Sequence, residues 1–239
     1  MKIATRDEWQ AAHRALRERE EELYRLDGEL NRQRRQLPWV PVEKEYRFET
    51  EDGPRTLAEL FDGRSHLLIY HLMFGESFAR GACPGCTSLA DHFDAGLVHL
   101  EHRDVSLIAM SRAPIDRLQA YKKRMGWRFR WASSHGSDFN RDFGFASTRE
   151  EVMSNPETRA MVDDPGAFMR EWSQSTGSDI AGGLCEEPGW NVFAMRDGVV
   201  HHTYTRRTPG GPLLGPYYQH LLTLTPRPGD FPLRRHDEY

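Results

Sequence analysis

Residues 66–102 read HLLIYHLMFGESFARGACPGCTSLADHFDAGLVHLEH, and this stretch decides the fold. It opens with a short apolar run from Leu67 to Phe74, which predicts a strand. A loop leads to the motif CPGC at residues 83–86, and a helical pattern follows it. Pro84 suits the first helical position because a missing N–H costs nothing there. The sequence therefore predicts strand, loop, dithiol and helix, with Cys83 at the helix N-cap.

This position gives the two thiols different predicted roles. A thiolate at Cys83 faces unpaired backbone N–H groups and the positive end of the helix dipole, which favours a nucleophile near neutral pH. Cys86 lies one turn further into the helix, where it can resolve a mixed disulfide formed at Cys83. Arg80 precedes Cys83 by three residues and is predicted either to add positive potential to the thiolate or to point into solvent.

Two other interpretations of the dithiol stay open. A C-x-x-C pair supplies half of a tetrahedral zinc site, and the chain has histidines that would complete one: His99, His102, His201 and His202. No second C-x-x-C is present, so we predict no metal site and no cofactor. In the second interpretation, the two thiols are structural and the protein has kept the fold without catalytic activity. Cys185 is the odd cysteine, either an inert buried thiol or an additional redox partner.

Composition narrows the function class. The net charge of −4 over 239 residues gives no indication of nucleic-acid binding. The apolar runs are too short for a membrane span, and the N-terminus lacks the apolar core of a signal peptide. We therefore expect a cytoplasmic protein with no membrane partner. Three cysteines are too few for a disulfide framework.

Periodicity predicts the domain organisation. Residues 1–36 form a helical extension, opened by a capping box at Thr5 and carrying a narrow apolar stripe. Residues 37–230 form the main domain, in which buried strands alternate with helices and imply parallel pairing. Within it, residues 147–187 are an insertion of short helical pieces, interpreted as surface elaboration or as a lid. A hairpin, a short helix at residues 217–224 and a tail at residues 231–239 complete the chain.

Several motifs together resemble a known family. The order β-α-β-α-β-β-α, with CPGC at the start of the first helix packed on the sheet, is similar to the thioredoxin fold. LPWVPVEKEYRFETEDGPRTLAELFDG, LIYHLMFG, ACPGCTSLADH and PGWNVFAMRDG resemble the thioredoxin-like family catalogued as domain of unknown function 899. The resemblance implies an α/β thioredoxin-like fold, a central mixed sheet flanked by helices, with Cys83 and Cys86 at the positions of the thioredoxin dithiol. The resemblance also implies oxidoreductase activity, which is presumed for the family and not established.

The chain departs from the better-known relatives of this fold at two places. Thioredoxins carry a cis-proline beside the dithiol, and the corresponding position is Trp190, with Pro188 two residues earlier. Peroxiredoxins carry a threonine three residues before the reactive cysteine and a proline seven before it, where this chain has Arg80 and Glu76. General disulfide reductase activity and peroxidase activity are both less expected for this reason.

The sequence thus favours a thiol–disulfide oxidoreductase acting on a thiol or disulfide substrate, with Cys83 as nucleophile and Cys86 as resolving thiol. The predicted substrate-binding residues are Arg80, Pro84, Gly85, Pro188 and Trp190. A non-catalytic binding or assembly protein that forms a homodimer through the N-terminal helix is the competing hypothesis. A metal-binding protein is the weaker third.

Overall fold

The computed structural model describes residues 3–207 and 235–238. The chain divides into two compact units, Met1–Trp39 and Val40–Tyr239. The predicted helix at residues 217–224 lies outside the described residues. The predicted domain boundaries at residues 36 and 230 stay predictions.

The first unit is a single long helix, α1 (Arg6–Arg35). Its N-terminus carries the predicted capping box, in which the Thr5 side chain accepts a hydrogen bond from the Glu8 N–H and the Glu8 carboxylate accepts one from the Thr5 N–H. Its last turn is basic and complements the negative end of the helix dipole. None of its side chains is buried, so the helix exposes its whole apolar stripe within this chain.

The second unit is built on a mixed sheet, and its described residues form eight strands in the order β1-β8-β7-β4-β5-β6-β2-β3. The strands are β1 (Val40–Pro41), β2 (Arg47–Thr50), β3 (Gly53–Thr56), β4 (His66–His71), β5 (Val105–Ser111), β6 (Arg130–Ser133), β7 (Gly189–Arg196) and β8 (Val199–Arg207). The central strands β4, β5 and β6 are parallel, and the other pairs are antiparallel. This is the thioredoxin-like α/β arrangement that the sequence predicts.

Helices fill the crossovers and the insertion. They are α2 (Pro84–Ala90), α3 (Phe93–Glu101), α4 (Ile115–Met125), α5 (Phe139–Asp142), α6 (Arg149–Ser154), α7 (Pro156–Asp163), α8 (Ala167–Thr176) and α9 (Ile180–Gly183). Short 3₁₀ turns lie at Glu59–Phe61 and His236–Glu238. The last four helices occupy the predicted insertion before the final hairpin of β7 and β8.

Two details differ from the sequence prediction. The strand predicted from Leu67 to Phe74 is β4, and it ends at His71 and not at Phe74. After His71 the chain turns into the loop that carries the dithiol. The single helix expected after CPGC is two helices, α2 and α3. At the break, the Asp94 carboxylate accepts hydrogen bonds from the N–H groups of Arg128 and Phe129, at 2.8 and 2.7 Å. These bonds hold the start of α3 beside the chain that enters β6.

The sheet separates two apolar cores because side chains alternate along each strand. On β4, Leu67 and Ile69 belong to one core, while Tyr70 belongs to the other, together with both thiols of the CPGC motif. His71 lies on the Leu67 side, so it faces away from the dithiol. The fold therefore brings Tyr70, and not His71, to the candidate site.

His71 is a buried histidine whose pKa is displaced by its surroundings. Its ring stacks on Phe145 with centroids 3.9 Å apart, and its Nε2 lies 3.0 Å from the Asn191 side-chain nitrogen. Burial lowers the pKa of His71 from 6.5 to about 3. The folded chain thus holds this imidazole neutral at acidities where the unfolded chain would protonate it.

We expect His71 to make the protein less stable in acid. Between pH 6.5 and about 3 the unfolded state binds a proton at this position that the folded state does not, so the free energy of unfolding falls as pH falls. The slope from this group is at most about 1.4 kcal/mol per pH unit. In urea titrations at several pH values, His71→Gln should remove that slope. Parallel curves for the variant and the wild type would contradict the assignment.

Candidate active site

The dithiol lies where a loop from β4 meets the first turn of α2. Cys83 is the N-cap residue and Pro84 the first helical residue, as the sequence predicts. The Cys83 N–H donates to the Met73 carbonyl at 2.9 Å, which fixes the loop at both ends. Gly81 has a φ of +140°, and a Cβ there would lie 2.5 Å from the Tyr121 ring. Glycine is therefore required two residues before the first thiol.

The surroundings of Cys83 favour its thiolate. A hydrogen bond from the Cys86 thiol lowers the pKa of Cys83 most, burial opposes this, and hydrogen bonds from the Trp172 indole and from the Cys86 and Gly85 N–H groups lower it further. Together they lower the pKa of Cys83 from 9.0 to about 6. At neutral pH the sulfur that faces the helix N-terminus is therefore ionised.

Cys86 has the opposite character. Burial and the neighbouring Cys83 sulfur raise the pKa of the Cys86 thiol well above its ordinary value, although a hydrogen bond from Tyr70 opposes the rise. Burial, followed by the nearby Cys86 sulfur, raises the pKa of Tyr70 as well, so its hydroxyl keeps its proton. The pair thus consists of one thiolate and one thiol, with the proton held by the more buried sulfur.

Trp172, on α8, is a residue of the candidate site that sequence reasoning missed. Its indole N–H donates to the Cys83 sulfur at 3.2 Å, across 89 positions in the chain. Its ring also packs against Gly183, where a Cβ would lie 2.1 Å from the indole. The available signal was a tryptophan within a polar helical segment of the insertion, although nothing in that segment indicated its distant partner.

A cavity of about 610 Å³ opens beside Cys83. Its described lining comes from the dithiol loop, the first turn of α2, α8, the residue after α9 and the end of the chain: Met73, Arg80, Cys83, Pro84, Gly85, Phe168, Met169, Glu171, Trp172, Gln174, Ser175, Leu184 and Glu238. The insertion therefore forms a wall of the site. A volume of this size lies within the range of small-molecule sites, about 300–1,000 Å³.

The structure brings some of the predicted substrate-binding residues together and separates others. Arg80, Pro84 and Gly85 line the cavity, whereas Pro188 and Trp190 are not in its described lining. The Arg80 guanidinium donates to the Gln174 carbonyl at 2.9 Å, so it joins the dithiol loop to α8 and is not directed freely into solvent.

Trp190 lies behind the dithiol. It is the β7 partner of Tyr70 on β4, and the centroids of the two rings are 4.8 Å apart. It also packs on Phe93, at 5.6 Å. Among the described residues its buried indole N–H has no hydrogen-bond acceptor. At the position predicted from the sequence to correspond to the thioredoxin proline, this chain therefore has a ring that packs on Tyr70, the tyrosine that hydrogen bonds to Cys86.

The end of the chain also contacts the site. Arg235 is buried, and its guanidinium donates to the carbonyls of Ala82 and Ser175 at 3.0 and 2.9 Å. It donates in addition to the Tyr121 hydroxyl at 2.8 Å and to Glu238 at 2.9 Å. One side chain therefore joins the dithiol loop, α8 and α4.

The remaining candidates lie apart from this cavity. Cys185 lines a separate cavity with Arg112, Arg141 and Arg149, and burial raises the pKa of its thiol. In the described ranges 3–207 and 235–238, no group of three or more His, Cys, Asp or Glu side chains is placed to hold a metal ion. The four histidines considered for the metal-binding alternative therefore form no ligand set there.

The sequence of the whole chain, residues 1–239, matches one family model, described as "Bacterial protein of unknown function (DUF899)". The chain belongs to this family. The resemblance noted in the sequence is confirmed. No curated protein matches the sequence significantly.

Three solved structures similar to this chain come from different organisms. PrxQ from Xylella fastidiosa has 10% identity and a TM-score of 0.46, over 75% of this chain and 86% of its own. Peroxidoxin BcpB from Mycobacterium tuberculosis has 13% identity and a TM-score of 0.41, over 72% and 80%. The mitochondrial 2-Cys peroxiredoxin from Plasmodium falciparum has 12% identity and a TM-score of 0.43, over 77% and 89%. None of these values is high enough to transfer a function to this chain.

We expect Trp172→Phe to raise the pKa of Cys83. The substitution keeps an aromatic ring over the sulfur and removes the N–H that donates to it. Because one hydrogen bond to a charged group is lost, we expect the pKa of Cys83 to rise by about 1 unit. The pH dependence of Cys83 alkylation by iodoacetamide measures it, with site occupancy read by mass spectrometry.

Trp9→Phe is the matched control, because Trp9 lies on α1 and does not line the cavity. It should leave the midpoint of the alkylation curve unchanged. A midpoint that also stays unchanged in Trp172→Phe would show that the indole does not stabilise the thiolate.

Proposed function

We propose that this protein is a thiol–disulfide oxidoreductase, with Cys83 as the nucleophile and Cys86 as the resolving thiol. The observation that carries the proposal is the asymmetry of the dithiol, in which hydrogen bonds lower the pKa of Cys83 while burial raises that of Cys86. An exchange reaction needs this division, because the attacking sulfur must be ionised first and the resolving sulfur later.

The reaction follows from these two roles. The Cys83 thiolate attacks one sulfur of a disulfide, a Cys83 mixed disulfide forms, and the other half of the substrate leaves as a thiolate. Cys86 then attacks the Cys83 sulfur, and its proton passes to the second departing thiolate. The second half leaves, the Cys83–Cys86 disulfide forms, and two electrons have moved from the protein to the substrate.

Other residues are assigned by what they contact. We propose that Pro84 and Gly85 border the substrate beside the reactive sulfur, and that Arg80 holds the same wall through its bond to α8. Pro188 and Trp190 would act less directly, since Trp190 packs on the tyrosine that hydrogen bonds to Cys86.

A cytoplasmic location is part of the proposal, because a reducing compartment keeps such a pair available as a reductant. No helix in the described part of the chain has the length and apolar character to cross a bilayer.

Single-cysteine variants test the proposal. Cys83→Ser should abolish the oxidation of the reduced protein by bis(2-hydroxyethyl) disulfide. Cys86→Ser should form the first mixed disulfide at Cys83 and stop there, adding one substrate half to the protein mass. Cys185→Ser is the control and should react at the wild-type rate, because Cys185 lines a different cavity. Wild-type reactivity in Cys83→Ser would exclude the proposed nucleophile.

A second candidate function, self-association, is favoured by α1. Its exposed apolar residues recur every seven positions, at Trp9, Leu16, Leu23 and Leu30, with Leu26 between the last two. A sevenfold apolar repeat on a solvated helix is typical of a coiled-coil seam. We propose that two copies of this chain pair along this stripe, as an assembly function or together with the redox function.

The double variant Leu16→Glu/Leu23→Glu tests self-association. It places two charges in the proposed seam and should halve the mass measured by analytical ultracentrifugation. Tyr24→Glu is the matched control, because Tyr24 is more exposed than either leucine and lies outside the repeat. Its mass should equal that of the wild type. A monomeric wild type, or a double variant of unchanged mass, would contradict pairing through α1.

A further inference from the structure

We propose that the disulfide reduced by this protein is a small, uncharged molecule with apolar substituents, which enter the cavity between the dithiol loop and α8. This inference rests on the proposed function and specifies its substrate class. Three observations carry it: the enclosure of the reactive sulfur, the size of the cavity and the chemistry of its lining.

The reactive sulfur is enclosed. Cys83 is only 8% exposed, and the Trp172 indole covers its sulfur from α8. Exchange requires the attacked disulfide to come into line with the Cys83 sulfur. A disulfide on a folded protein would have to bring its flanking backbone past α8, whereas a small disulfide reaches the sulfur through the cavity. The enclosure therefore favours a substrate that fits inside.

The cavity wall is mainly apolar. Six of its described lining residues have apolar side chains: Met73, Pro84, Phe168, Met169, Trp172 and Leu184. Phe168 is 73% exposed, so its ring is accessible to a molecule in the cavity that it lines. Alkyl or aryl substituents on the substrate would lose contact with water against these side chains, which favours their binding.

The charged lining residues disfavour an anion. The Arg80 guanidinium donates to a backbone carbonyl of α8, and Glu238 pairs with Arg124 and Arg235 at 3.0 and 2.9 Å. The third charged residue, Glu171, adds a negative charge to the wall. A carboxylate on the substrate would meet this charge and the thiolate of Cys83, which disfavours an anionic disulfide. The apolar side chains of the wall disfavour a charged group of either sign, because such a group would lose its water there, so an uncharged disulfide is preferred.

In the proposed reaction, the dithiol and one disulfide R–S–S–R give the Cys83–Cys86 disulfide and two molecules of R–SH. The first R–S⁻ leaves when the Cys83 sulfur forms its bond to the substrate, and the second leaves when Cys86 attacks Cys83. The Cys86 proton and one proton from solvent neutralise the two products. A thiol reductant, such as dithiothreitol in the assay, returns the protein to its dithiol form.

The experiment compares four disulfides on the full-length reduced protein. They are di-n-propyl disulfide, bis(2-hydroxyethyl) disulfide, 3,3′-dithiodipropionate and insulin. The rate of dithiol oxidation is measured by rapid alkylation and mass spectrometry, and each rate constant is divided by that of dithiothreitol with the same disulfide. We expect the propyl compound to exceed the hydroxyethyl compound about tenfold, the effect of burying a few methylene and methyl groups. The dianion and insulin should react more slowly than both.

Phe168→Ser should reduce the preference for the propyl over the hydroxyethyl compound to about threefold, because it removes one apolar wall. Met161→Ser is the matched control, since Met161 is an exposed apolar residue on α7 that does not line the cavity. It should keep the wild-type ratio.

The outcomes separate the two proposals. Equal normalised rates for the three small disulfides, a faster reaction with insulin, or an unchanged ratio in Phe168→Ser would overturn the inference and leave the oxidoreductase proposal in place. The proposed function itself would be overturned if the protein reacts with all four disulfides no faster than a simple thiol of the same thiolate fraction does.

Discussion

The site depends on keeping a negatively charged sulfur in a place where water hardly reaches it. Burial alone would raise the pKa of Cys83, as it does for Cys86 and Cys185. The difference at Cys83 is the number of donors directed at one atom: the Cys86 thiol, the Trp172 indole and two backbone N–H groups of the first turn of α2. Each donor belongs to a segment that another part of the fold must position, so the ionisation of this sulfur constrains much of the second unit.

The central strands supply the fixed side of this arrangement. Tyr70 lies on β4 between two neighbours in the sheet, with Trp190 of β7 packed on its ring and Phe93 of α3 packed edge-on at 5.4 Å. A hydroxyl held by packing on a central strand has little freedom to move. Its hydrogen bond to Cys86 therefore sets where the second thiol lies, and the second thiol is the main donor to the first. Two hydrogen bonds, from Tyr70 to Cys86 and from Cys86 to Cys83, therefore connect the aromatic core with the Cys83 sulfur.

Sequence reasoning recovers the parts of this site that are local in the chain. The strand, the turn into α2, the N-cap position of Cys83 and the first-turn Pro84 follow from residues within twenty positions of one another. The sequence does not predict the break between α2 and α3, and the contacts that hold the start of α3 are distant in the chain: Asp94 accepts hydrogen bonds from backbone N–H groups 34 and 35 positions later. Trp172 and Arg235 were missed for the same reason at greater range. A helical period identifies the buried face of a helix, but it does not identify a hydrogen-bond partner on another element.

The most distant of these contacts explains why the insertion belongs to the site. Arg235 is a buried guanidinium, and such a group is stable only where carbonyls or carboxylates accept its N–H bonds. Its acceptors lie on the dithiol loop, at Ala82, and on α8, at Ser175, so the two walls of the cavity share one donor. These bonds do not involve the Cys83 sulfur, whereas the Trp172 bond does. In the proposed reaction Cys83 forms a disulfide and loses its charge, so the indole would lose its charged acceptor while the bonds of Arg235 to the two walls would be kept. The bonds that join the two cavity walls are thus separate from the hydrogen bond to the Cys83 sulfur.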